Sequence, residues 1–245
     1  MTQSVFRLEH TRQLTGDTFE LRLSGDASAI TAPGQFVNIA LPGYFLRRPI
    51  SVCDWTENSL TLLIKTAGGG TEQLAHSPTG TEFDILCGLG NGFTLPENSE
   101  SVILAGGGIG IAPLYALAKQ LRQNGVSPVI ALGFRTAADM FYIEEFTALD
   151  CEMAIATEDG SHGIKGFVTD ILRQYPNYHY VYCCGPFPML RAVYALSHWT
   201  GGQFSFEARM GCGFGACMGC SIPTANGYRR VCKEGPVFQR EEIVW

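Results

Sequence analysis

The chain has 245 residues, of which 46% are hydrophobic and 16% charged, and its formal net charge is −6. This composition is typical of a well-packed globular protein with room for two modest domains and a small appendage, and the lack of Lys or Arg runs argues against nucleic acid or an anionic membrane as a partner. The sequence has no apolar stretch of the roughly 20 residues that span a bilayer and no signal-peptide hydrophobic region, so we expect a cytoplasmic protein.

Short strands are predicted from residue 1 to about residue 97. In each segment apolar and polar residues alternate, and turns rich in Gly, Pro, Asn and Asp separate the segments. Several short strands at this spacing predict an antiparallel barrel or sandwich. The segments are VFRLEHTRQL, TFELRLSG, GQFVNIAL, ISVCDW, SLTLLIKTA and TEFDILCGLG.

Two segments of this predicted barrel contain residues suited to a cofactor. In the sequence RRPIS, Arg48 can pair bidentately with a diphosphate, and Ser51 can offer its hydroxyl or its backbone N–H to a flavin ring. Residues 65–71, KTAGGGT, offer a glycine loop that can surround an anion. Considered alone, an Arg-Pro-x-Ser tetrad is more often an ordinary turn at the edge of a β-sheet.

The pattern changes after residue 100, where short apolar runs alternate with helical segments. Strands that alternate with helices predict a parallel sheet, and we place the boundary between the two domains near residue 98. The predicted strands are SVILAGGG, PVIALGFR, CEMAIATED and YHYVYCCG. The predicted helices are APLYALAKQLRQNG, DMFYIEEFTAL, KGFVTDILRQY and FPMLRAVYALSHW.

A glycine loop follows the first of these strands and leads into a helix that begins near Ala112-Pro113. Glycines let backbone N–H groups approach a pyrophosphate, which the N-terminus of a helix favours. Because the strict G-x-G-x-x-G pattern is absent, a purely structural turn remains the alternative. The glycines of this loop are Gly106, Gly107, Gly108 and Gly110.

Two further loops follow predicted strands of the same sheet. Cys184, Gly185 and Pro186 come directly after YHYVYC, and ligands of open α/β sheets bind at such strand ends. The two glycine-containing loops can therefore line one crevice. Glu158 and Asp159 have the same relation to their own strand, although solvated loop carboxylates explain that pair at least as well.

Four of the nine cysteines form the pattern C-x4-C-x2-C-x11-C, which is typical of a plant-type [2Fe–2S] loop with a distant fourth ligand. Interleaved glycines allow the backbone to wrap closely around a cluster. The alternative is a structural zinc site, although such sites favour two short Cys-x2–4-Cys pairs. The four candidate ligands are Cys212, Cys217, Cys220 and Cys232. Most of the other cysteines read best as small buried hydrophobic residues.

The sequence thus predicts a β-barrel plus an α/β fold with a small appendage. We expect an antiparallel flavin-binding barrel at residues 1–98, a parallel-sheet nucleotide-binding domain at residues 99–203 and an iron–sulfur domain at residues 204–245. Such a cluster carries one electron at a time, so the other two domains are expected to supply an electron source and an electron sink.

Taken together, the motifs resemble those of a known group of flavoproteins. An RPxS barrel followed by GGGIGIAPL and a CGP loop resembles the ferredoxin–NADP reductase superfamily. The added cysteine tail with its GPVF ending, and the order of the segments GGGTEQL, GFRTAADMFYIEEF and TEDGSHGIKGFV, closely resemble the electron-transfer subunits of type B dihydroorotate dehydrogenase. The resemblance covers nearly the whole chain.

This resemblance implies residue roles. It implies FAD on the barrel, NAD on the Gly106–Gly110 and Cys184–Pro186 loops, and the [2Fe–2S] cluster on the four cysteines named above. The family often has an aromatic–basic pair where this chain has Ile64-Lys65. The implied flavin contacts are Arg48, Pro49, Ile50, Ser51, Leu63, Ile64, Lys65, Gly70 and Thr71.

The resemblance also implies a partner and an electron route. An FMN-containing catalytic subunit would oxidise dihydroorotate to orotate in pyrimidine biosynthesis, and its electrons would pass through the cluster and FAD to NAD⁺. The implied assembly is a heterotetramer of two catalytic and two electron-transfer subunits. Two alternatives remain open at this point: a diaphorase subunit of a hydrogenase or another flavin–cluster complex, and a zinc-stabilised binding module without enzymatic activity.

Overall fold

The computed structural model describes residues 1–95 and 101–245 of the chain. The predicted domain boundary near residue 98 lies outside the described residues. In residues 1–95, antiparallel strands close into a barrel in the order β1-β2-β5-β4-β3-β6, which confirms the predicted barrel. The strands are β1 (Thr2–Gln13), β2 (Thr18–Ser24), β3 (Phe36–Ile39), β4 (Arg48–Thr56), β5 (Ser59–Lys65) and β6 (Glu82–Leu89), with helix α1 (Gly69–Ala75) before β6.

The barrel forms because one side of each strand is apolar. Along β6, for example, Phe83, Ile85, Cys87 and Leu89 are buried while the residues between them are not. Since successive side chains of a strand point to opposite faces, this alternation fills the barrel interior from every strand. The interior residues include Phe6, Leu8, Leu21, Val37, Leu62 and Ile85.

The α/β unit contains a parallel sheet, as predicted. Its strands are β7 (Val102–Gly107), β8 (Val129–Phe134), β9 (Met153–Thr157), β10 (Ile164–Lys165), β11 (Tyr180–Cys184) and β12 (Gly201–Ser205), arranged in the order β10-β9-β8-β7-β11-β12. The connecting helices are α2 (Ala112–Gln123), α3 (Ile143–Thr147), α4 (Val168–Leu172) and α5 (Phe187–Tyr194). Among the described residues, no helix is long and apolar enough to cross a membrane.

The cysteine-rich tail adds one strand to this sheet. It forms a hairpin of β13 (Ser221–Thr224) and β14 (Gly227–Arg230), and then β15 (Val237–Gln239) pairs antiparallel with β12. The tail also shares one apolar core with both larger units, in which Cys220 and Cys232 pack together with Phe36 and Leu89 of the barrel. The tail is therefore held against the barrel and the sheet, and the predicted division between residues 203 and 204 remains a prediction.

Candidate functional site

The RPIS motif lies at the beginning of β4, where it pairs antiparallel with β3. Arg48 packs its guanidinium over the Tyr44 ring, with 4.3 Å between the guanidinium carbon and the ring centroid. A Cβ atom on Gly70 would collide with the Arg48 side chain, so this glycine lets the first turn of α1 lie directly against the arginine. The structure thereby brings Arg48 together with Gly70 and its neighbour Thr71, two segments that sequence reasoning linked only by resemblance.

The second predicted flavin segment, Leu63 to Lys65, is only partly open. Ile64 is 1% exposed and points into the barrel interior, while Leu63 is buried against the α/β unit. Lys65 is half-exposed, and its Nζ lies 3.1 Å from an Asp17 carboxylate oxygen. Of the three side chains, Lys65 is therefore the one placed to meet a ligand, and Leu63 and Ile64 can offer only backbone groups.

The two predicted nucleotide loops are adjacent because β7 and β11 are neighbouring strands, with Gly106 opposite Cys184. Gly107 ends β7, a 3-10 turn follows at Gly108–Ile111, and α2 begins at Ala112. A Cβ atom on Gly110 would lie 2.5 Å from the Cys184 carbonyl oxygen, so only glycine allows this close approach of the two loops.

A cavity of about 380 Å³ lies near the hairpin of the tail, and a larger one of about 740 Å³ opens beside the nucleotide loops. The larger cavity runs from Gly107, Gly108 and Pro186 of the loops to Asp17, Thr18 and Lys65 of the barrel. It therefore lies between the predicted nicotinamide side and the predicted flavin side. Its remaining charged lining residues are Arg135, Asp139, Glu158 and Glu207.

Cys184, which we expected to face NAD, is 3% exposed and is not among the residues that line this cavity. Burial is the main cause that raises the pKa of the Cys184 thiol to about 12. The neighbouring Glu207 carboxyl also raises this pKa, and the hydrogen bond with Ser205 lowers it by a smaller amount. The thiol is therefore protonated at neutral pH. Contact with a nucleotide at this loop would involve Pro186, which does line the cavity, more than the Cys184 side chain.

Glu207 is a candidate residue that sequence reasoning missed. Its side chain keeps contact with solvent through the large cavity, yet the protein around the carboxyl raises its pKa by desolvation. It directly follows the buried segment Gly201–Phe206, and a lone carboxylate after a buried strand is the one signal that the sequence carried. A carboxyl with a raised pKa in a cleft is a candidate for proton exchange with a ligand.

Arg135 and Asp139 were also missed, and both line the same cavity as Glu207. The Arg135 guanidinium lies 3.0 Å from an Asp139 carboxylate oxygen, and the other Asp139 oxygen accepts from the Thr136 backbone N–H and hydroxyl. Burial opposes ionisation of Asp139, but the bonds from Thr136 and Arg135 outweigh it and lower its pKa. Glu158 lines this cavity, whereas Asp159 accepts hydrogen bonds from Ser161 and is not among the lining residues.

The four tail cysteines lie together as two pairs of thiols. Cys212 contacts Cys217, and Cys220 contacts Cys232, whose backbone N–H points at the Cys220 sulfur over 3.4 Å. Among the described residues, no three Cys, His, Asp or Glu side chains converge on one metal ion. Two pairs of sulfurs suit the two irons of a [2Fe–2S] cluster better than they suit one tetrahedral zinc.

The backbone around the first pair is arranged to stabilise a thiolate. Burial opposes ionisation of Cys212, but backbone N–H groups of Phe214, Cys217 and Ala216 that point at its sulfur lower the pKa of the thiol to about 6. The Ala216 nitrogen lies 3.2 Å from this sulfur. Metal ligands must be thiolates, and N–H groups aimed at cluster sulfurs are a regular feature of iron–sulfur sites, so the donor set fits the cluster.

The chain is similar in sequence to known proteins over nearly its whole length. Residues 207–244 match the family model of the iron–sulfur cluster binding domain of dihydroorotate dehydrogenase B, and residues 104–195 match the oxidoreductase NAD-binding domain. The dihydroorotate dehydrogenase B (NAD(+)) electron transfer subunit of Shouchella clausii is 41% identical over 245 residues, which cover 95% of this chain and 94% of the relative. The corresponding subunit of Geobacillus kaustophilus is 43% identical over 246 residues, with 95% of each chain covered.

Solved structures confirm the fold. The structure of an NADH-dependent reduced ferredoxin-NADP oxidoreductase, described for flavin-based electron bifurcation, superposes with a TM-score of 0.89 at 28% identity and covers 98% of this chain and 90% of its own. A ferredoxin NADP⁺ reductase from Neisseria gonorrhoeae with bound FAD and NADP superposes with a TM-score of 0.68 at 15% identity, covering 79% of this chain and 89% of its own.

Proposed function

This chain belongs to the family of dihydroorotate dehydrogenase B electron transfer subunits, and we propose that it links the oxidation of dihydroorotate by a partner subunit to the reduction of NAD⁺. The reaction would form orotate for pyrimidine biosynthesis. The partner would be an FMN-containing catalytic subunit, and the assembly would be a heterotetramer of two subunits of each kind. When bound, the cluster supplies one-electron transfer and FAD converts single electrons into the hydride that NAD⁺ accepts.

One observation carries this proposal: the cluster loop contacts β3, the barrel strand that pairs with the strand of the flavin motif, β4. In the pairing of β3 with β4, Asn38 is opposite Pro49 and Phe36 is opposite Ser51. Opposed residues of an antiparallel pair point to the same face of the sheet. On that face Asn38 bonds to the backbone of Cys212, and Phe36 packs with Cys220 and Cys232. The RPIS motif is thus one strand away from the cysteine tail.

The chain's own residues would hold the three redox groups in order. The four cysteines would bind the cluster, and Arg48 with Gly70 and Thr71 at the start of α1 would bind the FAD diphosphate. The backbone N–H groups of Gly107 and Gly108, at the start of the turn into α2, would bind the NAD pyrophosphate. The cavity of about 740 Å³ joins the barrel side to the nucleotide loops, so it can take the nicotinamide end of NAD beside the flavin.

The experiment is anaerobic purification of the chain together with its partner, followed by cofactor analysis and an orotate-formation assay with NAD⁺. We expect FAD, FMN, iron and acid-labile sulfide in the complex and NAD⁺-dependent formation of orotate. A hydrogenase or another flavin–cluster enzyme as the co-purifying partner would replace this proposal by the diaphorase alternative. A colourless protein that contains zinc would exclude both the proposed function and the diaphorase alternative.

A further inference from the structure

A single buried amide connects the barrel to the cluster loop. Asn38 is 1% exposed and lies on β3, and its Nδ2 donates to the backbone carbonyl oxygen of Cys212 over 3.0 Å. The two residues are 174 positions apart in the chain. The strand neighbours of Asn38, Val37 and Ile39, fill the barrel interior. Because successive side chains alternate, Asn38 points out of the barrel and onto the tail.

The glycine that follows Cys212 makes this contact possible. Gly213 has a φ of +80°, a left-handed conformation that glycine adopts without steric cost. A Cβ atom on Gly213 would also collide with the Asn38 amide. The loop is therefore shaped to rest its backbone on the Asn38 side chain.

The other end of the same amide has no partner. Among the residues that the structure describes, none donates to Asn38 Oδ1, and this oxygen is buried. Exchanging the oxygen and nitrogen of the amide does not help, since two oxygens would then face each other at the Cys212 carbonyl. A buried acceptor without a donor is costly, so such an atom points to a group that arrives later.

The position of Asn38 indicates which group that is. Asn38 is opposite Pro49 of the RPIS motif, the motif expected to contact the flavin, and the two side chains lie on the same outward face of the barrel. An iron–sulfur cluster has no hydrogen-bond donor, whereas a flavin has the ring N3–H and the ribityl hydroxyls. The acceptor next to the RPIS motif therefore fits the flavin and not the cluster.

We propose that Asn38 is a positioning residue that bridges the two redox groups, with Nδ2 holding the Cys212 segment of the cluster loop and Oδ1 accepting a hydrogen bond from the bound flavin. This inference rests on the proposed function, because it requires both groups to be bound. It adds to that function a specific residue that fixes the placement of one group relative to the other. Placement of this kind governs transfer between bound groups, since small displacements change rates strongly.

The test uses two variants of the full chain that separate the two ends of the amide. Asn38→Leu keeps the approximate shape and removes both the donor and the acceptor. Asn38→Asp keeps an acceptor oxygen and removes the donor, and it is measured at alkaline pH to favour the ionised carboxylate. Two quantities are measured without substrate: the dissociation constant of FAD in the deflavinated protein, and the rate at which a chelator removes iron from the cluster.

We expect Asn38→Leu to weaken FAD binding and to speed iron release, each by roughly tenfold, the weight of one ordinary buried hydrogen bond. Asn38→Asp should speed iron release to a similar extent while it keeps FAD affinity within about twofold of the unaltered chain. The matched control is Gln203→Leu, another buried amide, whose Nε2 bonds to the Thr94 carbonyl oxygen and to the Tyr180 hydroxyl. It should lower thermal stability and leave FAD affinity and iron release unchanged.

Two results would overturn the inference. One is wild-type FAD affinity and a wild-type rate of iron release in Asn38→Leu, which would show that Asn38 contributes only packing and no hydrogen bond to either group. The other is equal FAD affinity in the two Asn38 variants, which would deny the role of the acceptor oxygen. Failure of the proposed function has a different signature, because the complex of the unaltered chain would then form no orotate with NAD⁺, whatever the two Asn38 variants do.

Discussion

Tyr142 and Glu20 join the α/β unit to the barrel, since the Tyr142 hydroxyl donates to a Glu20 carboxylate oxygen over 2.7 Å. Glu20 is on β2 and is 2% exposed, and it also accepts from Arg12 at 2.9 Å and from Arg22 at 2.8 Å. Arg12 in turn bonds to Glu145 of α3. A buried carboxylate thus receives donors from both units.

Glu20→Gln is expected to lower the free energy of unfolding by about 2 kcal/mol, because it replaces the charged acceptor of several hydrogen bonds with a neutral one at a buried position. The apparent Tm should fall by about 4–8 °C for a chain of this size. Burial opposes ionisation of Glu20, but Tyr142 and Arg12 outweigh it and lower its pKa. The stabilisation is therefore present above the ordinary pKa of 4.5 and disappears as the pH falls through the lowered value.

The matched control for this prediction is Arg22→Gln. Arg22 pairs with the same carboxylate, but its side chain is 60% exposed, so its loss should cost less than about 1 kcal/mol. Thermal unfolding of the three proteins between acid and neutral pH measures both effects. Equal losses in the two variants, or a Glu20→Gln deficit that persists at low pH, would contradict the role assigned to the buried carboxylate.

Alternation and spacing were sufficient to predict the barrel and the parallel sheet, and spacing also predicts the cysteine ligands. These signals are local, because the alternation of apolar residues along a strand and the spacing of cysteines in a loop can be recognised within a short stretch of the chain. Three predicted helices were too long, since KGFVTDILRQY yields only α4, FPMLRAVYALSHW only α5, and DMFYIEEFTAL only α3 from Ile143 to Thr147. Asp139 instead caps a 3-10 turn, and Tyr142 adopts a left-handed conformation with a φ of 63°, which interrupts a continuous helix.

The contacts between units were not predictable from the sequence. Asn38 and Cys212 are 174 residues apart and meet through an amide and a backbone carbonyl, groups without sequence periodicity. The pairing of β15 with β12 likewise depends on the path of the whole tail. Glu207 acquires its raised pKa from surrounding protein that only the folded chain assembles. These contacts join segments that are distant in the chain, so local sequence patterns could not predict them.

Gly110→Ala is expected to disrupt the nucleotide site. The added methyl group would lie 2.5 Å from the Cys184 carbonyl oxygen and 2.6 Å from the Gly185 backbone, so the two loops must separate. We expect NADH affinity to fall at least about tenfold, since overpacking of this kind displaces backbone. Calorimetric titration with NADH measures it. Gly125→Asn is the control, since Gly125 has open space around it and Asn tolerates its left-handed φ of 78°.

Wild-type NADH affinity in Gly110→Ala would show that the two loops do not act together in binding. Loss of affinity in Gly125→Asn as well would attribute the effect to general instability.

Asp139→Asn is expected to shift cofactor preference from NADH toward NADPH. In the folded chain Asp139 engages Arg135 at 3.0 Å and adds negative charge to the cavity, which disfavours a 2′-phosphate. Without that charge Arg135 is free to bind a phosphate, so the ratio of kcat/KM for NADPH to that for NADH should rise by about tenfold. Steady-state kinetics with an artificial acceptor measure the ratio.

Asp159→Asn is the control for that change. Asp159 belongs to the neighbouring loop but accepts hydrogen bonds from Ser161 and is not among the residues that line the cavity, so its replacement should leave the preference unchanged. An equal shift in both variants would mean that total charge, and not the Arg135 pair, sets the preference.

Cys217→Ser is expected to separate the two halves of the electron route. Cys217 is exposed and pairs with Cys212, so its loss removes one ligand of a cluster while the barrel and the nucleotide loops remain intact. The complex should lose its cluster absorbance and its dihydroorotate-to-NAD⁺ activity, yet still oxidise NADH with an artificial acceptor. Cys151→Ser, at a half-buried thiol far from the tail cysteines in sequence, should retain both activities. If Cys217→Ser kept full dihydroorotate-to-NAD⁺ activity, electrons would have to bypass the tail, because no other part of the described chain offers four cysteines in this arrangement.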